Sequence, residues 1–231
     1  MSIVESCSYC SEINGIVENS YFLSEIAPSL DIQSRYLFTS KTFLVFPSVG
    51  ALVPGHLLIA PKRHITAMAN LNIDELSELK GVINELKKLL SIIYDEKIVL
   101  MEHGTLNSRI SSGACVDHAH IHILPSNVML SHSINEEKKA ISIAQLNNIK
   151  YIENDYLLYS DDCENYFYSV VKKITSQYFR KVIFDNGNLE GHWNWVIDHR
   201  IQTMVVTIDD IVSFVASTDL PVLSGKWLQK I

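Results

Sequence analysis

Three histidines alternate with small or apolar residues in the middle of the chain. They stand in the segment His118-Ala119-His120-Ile121-His122. In a β-strand successive side chains point to opposite faces, so this spacing predicts three imidazoles on one face and an apolar face toward a core. A neutral imidazole can attack phosphorus, and neighbouring imidazoles can orient it, offset charge on phosphate oxygens and protonate a leaving group. A row of imidazoles is therefore suited to phosphorus chemistry, including attack by one ring to form a covalent intermediate.

Two cysteines near the start of the chain, Cys7 and Cys10, have the C-x-x-C spacing that suits either a metal site or a redox pair. A redox pair is disfavoured because no βαβ pattern follows it. The opening residues lack a basic segment followed by an apolar one, and we therefore expect a cytoplasmic protein without structural disulfides. Cys115 and Cys163 stand alone in the sequence.

The elements that must position these residues follow from periodicity. Asn72 and Glu75 form a capping-box signature, and apolar residues then recur every three or four positions, which predicts a long amphipathic helix. Alternating or apolar runs bounded by Gly and Pro predict strands, at residues 36–38, 42–46, 56–61, 97–101 and 116–125. The order β, β, α, β, β with short turns predicts an α+β fold around an antiparallel five-stranded sheet.

The character of the sequence changes near residue 130. We interpret residues 1–130 as a core with an N-terminal metal clip, and residues 131–231 as an α/β extension packed on that core. Within the extension we expect a β-hairpin at 156–159 and 166–171. We expect helices at 135–146, 177–184 and 204–214.

Composition excludes several classes of protein. The chain has 231 residues, of which 47% are hydrophobic and 19% are charged, a balance typical of a globular domain that buries its own core. With 19 Lys and Arg against 26 Asp and Glu, the net charge of −7 gives no general attraction to polymeric nucleic acid or anionic membrane. No apolar run reaches the length of a membrane span. Any phosphate ligand must therefore be small and bound locally.

A second histidine-containing segment runs from Pro54-Gly55-His56 to Pro61-Lys62-Arg63-His64. Together with the histidine triplet it resembles the histidine-triad superfamily over roughly residues 5–130, because both the His-x-His-x-His motif and the upstream Gly-His strand match. The resemblance implies that His120 is the nucleophile and that His122 and His56 are its phosphate-side and orienting partners.

The same resemblance implies a structural zinc ion. Many family members with an N-terminal C-x-x-C bind zinc through it, through the histidine of Pro-Lys-x-His and through the first triad histidine. In this chain those positions are Cys7, Cys10, His64 and His118. Two thiolates and two imidazoles are a usual ligand set of closed tetrahedral zinc sites.

The substrate-binding candidates are Phe46, Ser48 and the segment Gly113, Ala114 and Cys115. Phosphoramidase relatives carry Gln-Ser where this chain has Ala114 and Cys115, and an aspartate that holds ribose where it has Ser48. Backbone amides at 113–115 are expected to bind phosphate in place of the missing side chains. Phe46 is either part of an apolar base pocket or a core residue.

The expected function is hydrolysis of a phosphoanhydride, phosphoester or phosphoramidate bond of a small nucleotide. Related uridylyltransferases and dinucleotide phosphorylases have glutamine at the third triad position, whereas this chain has His122. Two alternatives stay open: a catalytically silent nucleotide-binding module, and a nucleotidyltransferase or phosphorylase. The resemblance also makes a homodimer possible. In the extension, Gln177 and Arg180 share a helix face that either reaches phosphate or is solvated.

Overall fold

The computed structural model describes residues 7–106, 118–152, 154–172, 175–218 and 226–227. One antiparallel sheet of nine strands runs through these residues in the order β6-β8-β7-β4-β5-β3-β2-β1-β9. The strands are β1 Phe38–Thr39, β2 Phe43–Pro47, β3 Leu57–Pro61, β4 Ile98–Gly104, β5 Ile121–Pro125, β6 Lys139–Ile141, β7 Asp155–Ser160, β8 Tyr166–Val171 and β9 Lys226–Trp227.

Helices cover both faces of the sheet. The α-helices are α1 Ser8–Ile13, α2 Ala27–Leu30, α3 Ile73–Tyr94, α4 Tyr178–Asn186 and α5 Ile201–Ser217. A π-helical turn at Phe22–Ile26 leads into α2, and 3-10 helices lie at Val17–Asn19, Met68–Asn70, Leu130–His132 and Ile143–Tyr151. None of the described helices combines the length and the apolar character needed to cross a bilayer.

The long helix α3 begins where the sequence predicts it. The Asn72 side chain accepts a hydrogen bond from the Glu75 amide (2.9 Å), and the Glu75 carboxylate accepts one from the Asn72 amide (2.8 Å). These two bonds satisfy backbone donors that have no partner inside the helix. The buried side of α3 packs on one face of the sheet through Leu76, Leu79, Ile83, Leu86 and Leu90.

Alternation along β5 assigns the two faces. Ala119, Ile121 and Ile123 are buried in the cluster that includes the α3 leucines. Because strand side chains alternate, His120 and His122 lie on the opposite face. That face is covered by α4, through the cluster that joins Leu124 to Phe179 and Ile183. The predicted face pattern is therefore present, although the paired strand begins only at Ile121 rather than at residue 116.

The extension continues the sheet of the core. Strands β1 to β5 form the predicted antiparallel five-stranded unit, and the predicted hairpin β7–β8 pairs with the β4 edge. Gly104 permits this pairing at its end, since a Cβ there would lie 2.1 Å from the Tyr156 ring. The α+β class is confirmed, and the described sheet has four more strands than the predicted five.

One predicted element is wrong. Residues 135–146 are not an α-helix: they contain the short edge strand β6 and the first part of a 3-10 helix, Ile143–Tyr151. In β6, Lys139, Ala140 and Ile141 pair with β8. Pairing with a neighbouring strand outweighs the helical preference of this polar segment, an effect that local periodicity does not reveal. The predicted helices at 177–184 and 204–214 are confirmed as α4 and α5.

Candidate active site and metal centre

The structure brings three histidines together on the sheet face opposite α3. His56 directly precedes β3, His120 directly precedes β5, and His122 lies in β5 opposite Leu58. The ring centroids of His120 and His122 are 4.9 Å apart, and those of His56 and His122 are 5.2 Å apart. Two adjacent antiparallel strands thus present the three imidazoles in a row, with His122 between His56 and His120.

Hydrogen bonds assign the protons of His56 and His122. The Leu52 amide donates to His56 Nδ1 (3.0 Å), so a neutral His56 carries its proton on Nε2. His56 Nε2 is 2.9 Å from His122 Nδ1 and therefore donates to it. His122 in turn keeps its proton on Nε2. The Leu52 amide consequently fixes the tautomers of both rings.

The proton of His120 is fixed by a backbone carbonyl. His120 Nδ1 lies 2.8 Å from the carbonyl oxygen of His118, which can only accept a hydrogen bond. The proton of a neutral His120 is therefore on Nδ1, and Nε2 holds a free lone pair. An imidazole nitrogen with a free lone pair is the form that attacks an electrophile.

Burial keeps these imidazoles neutral. It lowers the pKa of His120, and it holds the pKa values of His56 and His122 well below their usual range. The positive charge of Arg180 lowers all three pKa values further. At neutral pH the site therefore offers uncharged imidazoles close to the positive charge of Arg180.

A cavity of about 210 Å³ lies against His120 and His122. Its wall has three sources. The N-terminal segment provides Tyr9, Tyr21 and Phe22; the core provides Ser48, Val49 and Leu58; and the extension provides Gln177, Phe179, Arg180 and Trp195. The extension thus closes a cavity that the core alone leaves open.

Four residues form a cluster that could hold a metal ion. One ligand atom each from Cys7, Cys10, His64 and His118 lies within 4.8 Å of the others. Cys10 Sγ is 3.4 Å from His64 Nδ1 and 3.5 Å from His118 Nδ1. The N-terminal helix α1 supplies Cys10 and starts just after Cys7, so a bound metal would tie this helix to the ends of β3 and β5.

The chemistry of this donor set fits a metal such as zinc. His118 Nε2 donates to the carbonyl of Pro61 (2.7 Å), which leaves Nδ1 free to coordinate. Burial lowers the pKa of His118 to about 4, so the ring is neutral as a ligand must be. Burial and the neighbouring Cys7 raise the pKa of Cys10 to about 12. A divalent cation between the sulfurs would favour their thiolate forms.

The substrate-binding candidates have different positions. Ser48 lines the cavity, and its hydroxyl donates to the carbonyl of Val49 (3.0 Å). Phe46 does not line the cavity: it is 2% exposed and packs against the rings of Tyr9 and Tyr36. Of the two alternatives for Phe46, the structure therefore agrees with that of a core residue. Gly113, Ala114 and Cys115 lie outside the described residues.

Several residues of the cavity wall were not predicted from the sequence. Arg35 is buried and bound by the Glu12 carboxylate through two hydrogen bonds of 2.8 Å. Tyr9 stands between the two cysteines; its ring contacts His118 in a tilted geometry and His120 edge-on, with centroid distances of 5.8 and 5.6 Å. The position of Tyr9 inside the C-x-x-C was an available signal, whereas Arg35 has no local signal in the sequence.

The fold and the site define a protein of the histidine-triad type: an antiparallel sheet that presents three imidazoles beside a Cys₂His₂ cluster. Residues 29–129 match the family model described as "HIT domain". The chain therefore contains a HIT-like domain over residues 29–129.

Curated relatives are similar over about half of the chain. The asymmetrical bis(5'-nucleosyl)-tetraphosphatase of Schizosaccharomyces pombe is 21% identical over 94 residues, which are 41% of this chain and 50% of that protein. The adenosine 5'-monophosphoramidase of Candida albicans is 28% identical over 128 residues, covering 52% of this chain and 70% of that protein. Among solved structures, a zinc-bound histidine triad family protein from Mycobacterium smegmatis aligns with a TM-score of 0.40 and 13% identity, covering 64% and 91% of the two chains.

Proposed function

We propose that the protein is a nucleotide hydrolase of the HIT family that acts on a small phosphorylated nucleoside through a covalent nucleotidyl-His120 intermediate. The observation that carries this proposal is the bond from His120 Nδ1 to the His118 carbonyl, because it leaves the Nε2 lone pair free on the cavity wall. The hydrolase names of the fission-yeast and Candida relatives support the same reaction class.

The proposed reaction has two steps. In the first, the Nε2 lone pair of His120 forms a bond to phosphorus, and the bond from phosphorus to the leaving group breaks with its electron pair. In the second, water attacks the same phosphorus, the N–P bond breaks, and the nucleotide leaves. The Nε2–H of His122 can donate to a phosphoryl oxygen in both steps, since His56 occupies its Nδ1.

We further propose that Cys7, Cys10, His64 and His118 hold a structural zinc ion. His118 would then have two roles, because its ring would coordinate the metal while its carbonyl accepts a hydrogen bond from His120 Nδ1. The metal, when bound, supplies no chemistry to the substrate in this proposal. It fixes the backbone that sets the tautomer and aim of the nucleophile.

Two other functions stay open. Ser48, Glu102, Ala114 and Cys115 depart from the residues that related enzymes carry at these positions, which favours a silent binding module. A nucleotidyltransferase would use the same covalent step with an acceptor other than water. The three imidazoles favour hydrolysis, since His122 stands where the related transferases have glutamine.

A homodimer and a cytoplasmic location stay predictions. Because β7 covers the β4 edge, the sheet edges left among the described strands are β6 and β9.

A substrate panel tests the proposal. Wild-type protein and the His120→Ala variant are incubated with dinucleoside polyphosphates and nucleoside phosphoramidates, and nucleotide release is measured. We expect hydrolysis of at least one substrate by wild type and a loss of about 10³-fold or more in the variant. The exposed His132 lies outside the cavity, so His132→Ala is the matched control and should retain full activity.

The same panel separates the alternatives. Binding without turnover by wild type would favour the silent module. Transfer of the nucleotidyl group only to phosphate or a sugar phosphate, with none to water, would favour the transferase.

A further inference from the structure

Arg180 is a buried cation in the wall of the triad cavity. It lies in α4 of the extension, is 3% exposed, and lines the cavity together with His120 and His122. Its Nε donates to the carbonyl of Trp193 (3.1 Å), and its Nη2 donates to the carbonyl of Gly50 (2.5 Å). Its Nη1 has no hydrogen-bond partner among the described residues.

Two backbone segments hold this guanidinium in place. Gly50, from the core, has φ +69°, and a Cβ there would lie 3.0 Å from Arg180 Nη2 and 2.5 Å from the Trp195 Cβ. Glycine at this position therefore permits the close approach of the core, Arg180 and Trp195. Because carbonyls on both sides hold Nε and Nη2, the guanidinium is preorganised, and Nη1 is its one nitrogen without a partner among the described residues.

Within the part of the chain that the structure describes, Arg180 lacks the kind of carboxylate partner that neutralises Arg35, the other buried arginine of the cavity. Arg35 lines the same cavity but is paired with the buried Glu12 carboxylate at 2.8 Å. No carboxylate among the described residues forms an ion pair with Arg180. Burying a guanidinium without a counter-ion is unfavourable, and burial lowers the pKa of Arg180 to about 10. The cavity thus holds a fixed positive charge that an anion would stabilise.

We infer that Nη1 of Arg180 binds a phosphate oxygen of the nucleotide while His120 attacks, so that the extension supplies a substrate-binding residue to the site. This inference rests on the proposed function in one respect, since it takes the anion to be the phosphate of a nucleotide. A guanidinium is well suited to the role because it stays charged and donates to phosphate in a defined direction. The charge of Arg180 also lowers the pKa values of His120 and His122, as expected of a cation that lines the same cavity.

Binding measurements in a protein that cannot form the covalent intermediate test the inference. In a His120→Ala background, the dissociation constants of AMP, inorganic pyrophosphate and adenosine are measured by calorimetry with and without Arg180→Gln. Hydrogen bonds to charged groups lead us to expect AMP or pyrophosphate to bind about 10- to 100-fold more weakly without Arg180. Adenosine, which has no phosphate, should change less than about twofold on the same reasoning.

Two further variants serve as controls. Arg180→Lys keeps a positive charge and should restore part of the affinity for the phosphate-bearing probes, and it replaces Arg180→Gln if that variant fails to fold. Arg63→Gln removes an exposed arginine that is paired with Glu75 outside the cavity, and it should change no dissociation constant. Circular dichroism of each variant checks the fold.

The outcomes separate this inference from the proposed hydrolysis. Equal affinities for AMP and pyrophosphate with and without Arg180 would overturn it, as would an equal loss for adenosine or binding of neither phosphate probe. Arginine-dependent phosphate binding in a protein whose wild type hydrolyses nothing would retain the inference and remove the hydrolase.

Discussion

At the scale of single residues, backbone groups of the protein decide which imidazole nitrogens are free. The Leu52 amide and the His118 carbonyl together fix the proton positions on His56, His122 and His120. None of these bonds depends on a charged partner, so the protonation pattern follows from the strand ends themselves. A change in the loop before β3 that removes the Leu52 hydrogen bond should therefore alter the tautomers of His56 and His122, although it replaces neither histidine.

A second residue-scale feature is a buried carboxyl group in the wall of the cavity, that of Glu102. Glu102 accepts hydrogen bonds from the Met68 amide (2.7 Å) and the Tyr156 hydroxyl (2.8 Å). Its pKa is nevertheless raised to about 7 by burial. A carboxyl group with a raised pKa in the folded state binds protons more tightly there than in the unfolded state, so stability is full at low pH and falls as pH rises.

We predict that ionisation of the Glu102 carboxyl group alone lowers the free energy of unfolding by about 3 kcal/mol between pH 4.5 and 7. The Glu102→Gln variant should lose most of this dependence, because its amide does not titrate. Denaturant unfolding at several pH values measures the effect, with Glu136→Gln, at an exposed position, as control. The same pH slope in Glu102→Gln and wild type would contradict the prediction.

At the scale of elements, the short helix α1 depends on the metal cluster for its position. It has six residues, no side-chain cap at its start, and two of the four cluster residues at or beside its first turns. Isolated helices of this length are unstable in water. A metal would connect it to the ends of β3 and β5 and so hold Tyr9 against His120.

We predict about one zinc per chain in the purified protein and none in Cys10→Ser. The variant, and wild type treated with a chelator, should unfold at a temperature several degrees lower, because metal binding contributes to folding. Cys163→Ser is the matched control, because Cys163 is buried outside the cluster and its thiol donates to the Ile98 carbonyl. The zinc content of the Cys163→Ser variant should stay at one per chain. Full zinc content in Cys10→Ser would contradict the assignment.

The spacing of residues along the sequence predicts those features that depend on a single helix or strand. The capping box and apolar period give α3, and His-x-His-x-His gives a one-sided row of imidazoles, because both depend on local geometry. The extension's share of the cavity could not be predicted in this way. Arg180 meets Gly50 across 130 positions, and the segment 135–146 becomes a strand edge only because β8 lies beside it. Such contacts depend on tertiary packing that no local period encodes.

At the scale of the whole molecule, core and extension share one sheet and three hydrophobic clusters among the described residues, one of them on the α4 face of the sheet. That cluster combines Val99, Met101 and Leu124 of the core with Tyr159 and Phe179 of the extension. Pairing of β4 with β7 adds backbone hydrogen bonds along the same boundary. Neither part buries its side of this boundary alone, and we therefore expect the chain to unfold as one cooperative unit.

This expectation has a direct test. All three tryptophans lie beyond residue 190, so their fluorescence reports on the extension, whereas far-UV circular dichroism reports also on the 22-residue α3 of the core. The two denaturant transitions should coincide. The Phe179→Ala substitution should lower the free energy of unfolding measured by either signal by about 3 kcal/mol. Tyr151 is exposed, so the Tyr151→Ala substitution should change the free energy of unfolding by no more than about 0.5 kcal/mol with either signal. Two separate transitions would show independent domains.

The covalent intermediate is the central claim, and mass spectrometry of the quenched reaction tests it most directly. Wild-type protein is mixed with the best substrate of the panel, denatured at alkaline pH during turnover, and digested for peptide mapping. We predict a nucleotidyl mass increment on the peptide that contains His120, and none in His120→Ala. Turnover without any adduct, or an adduct on a residue other than His120, would contradict the account.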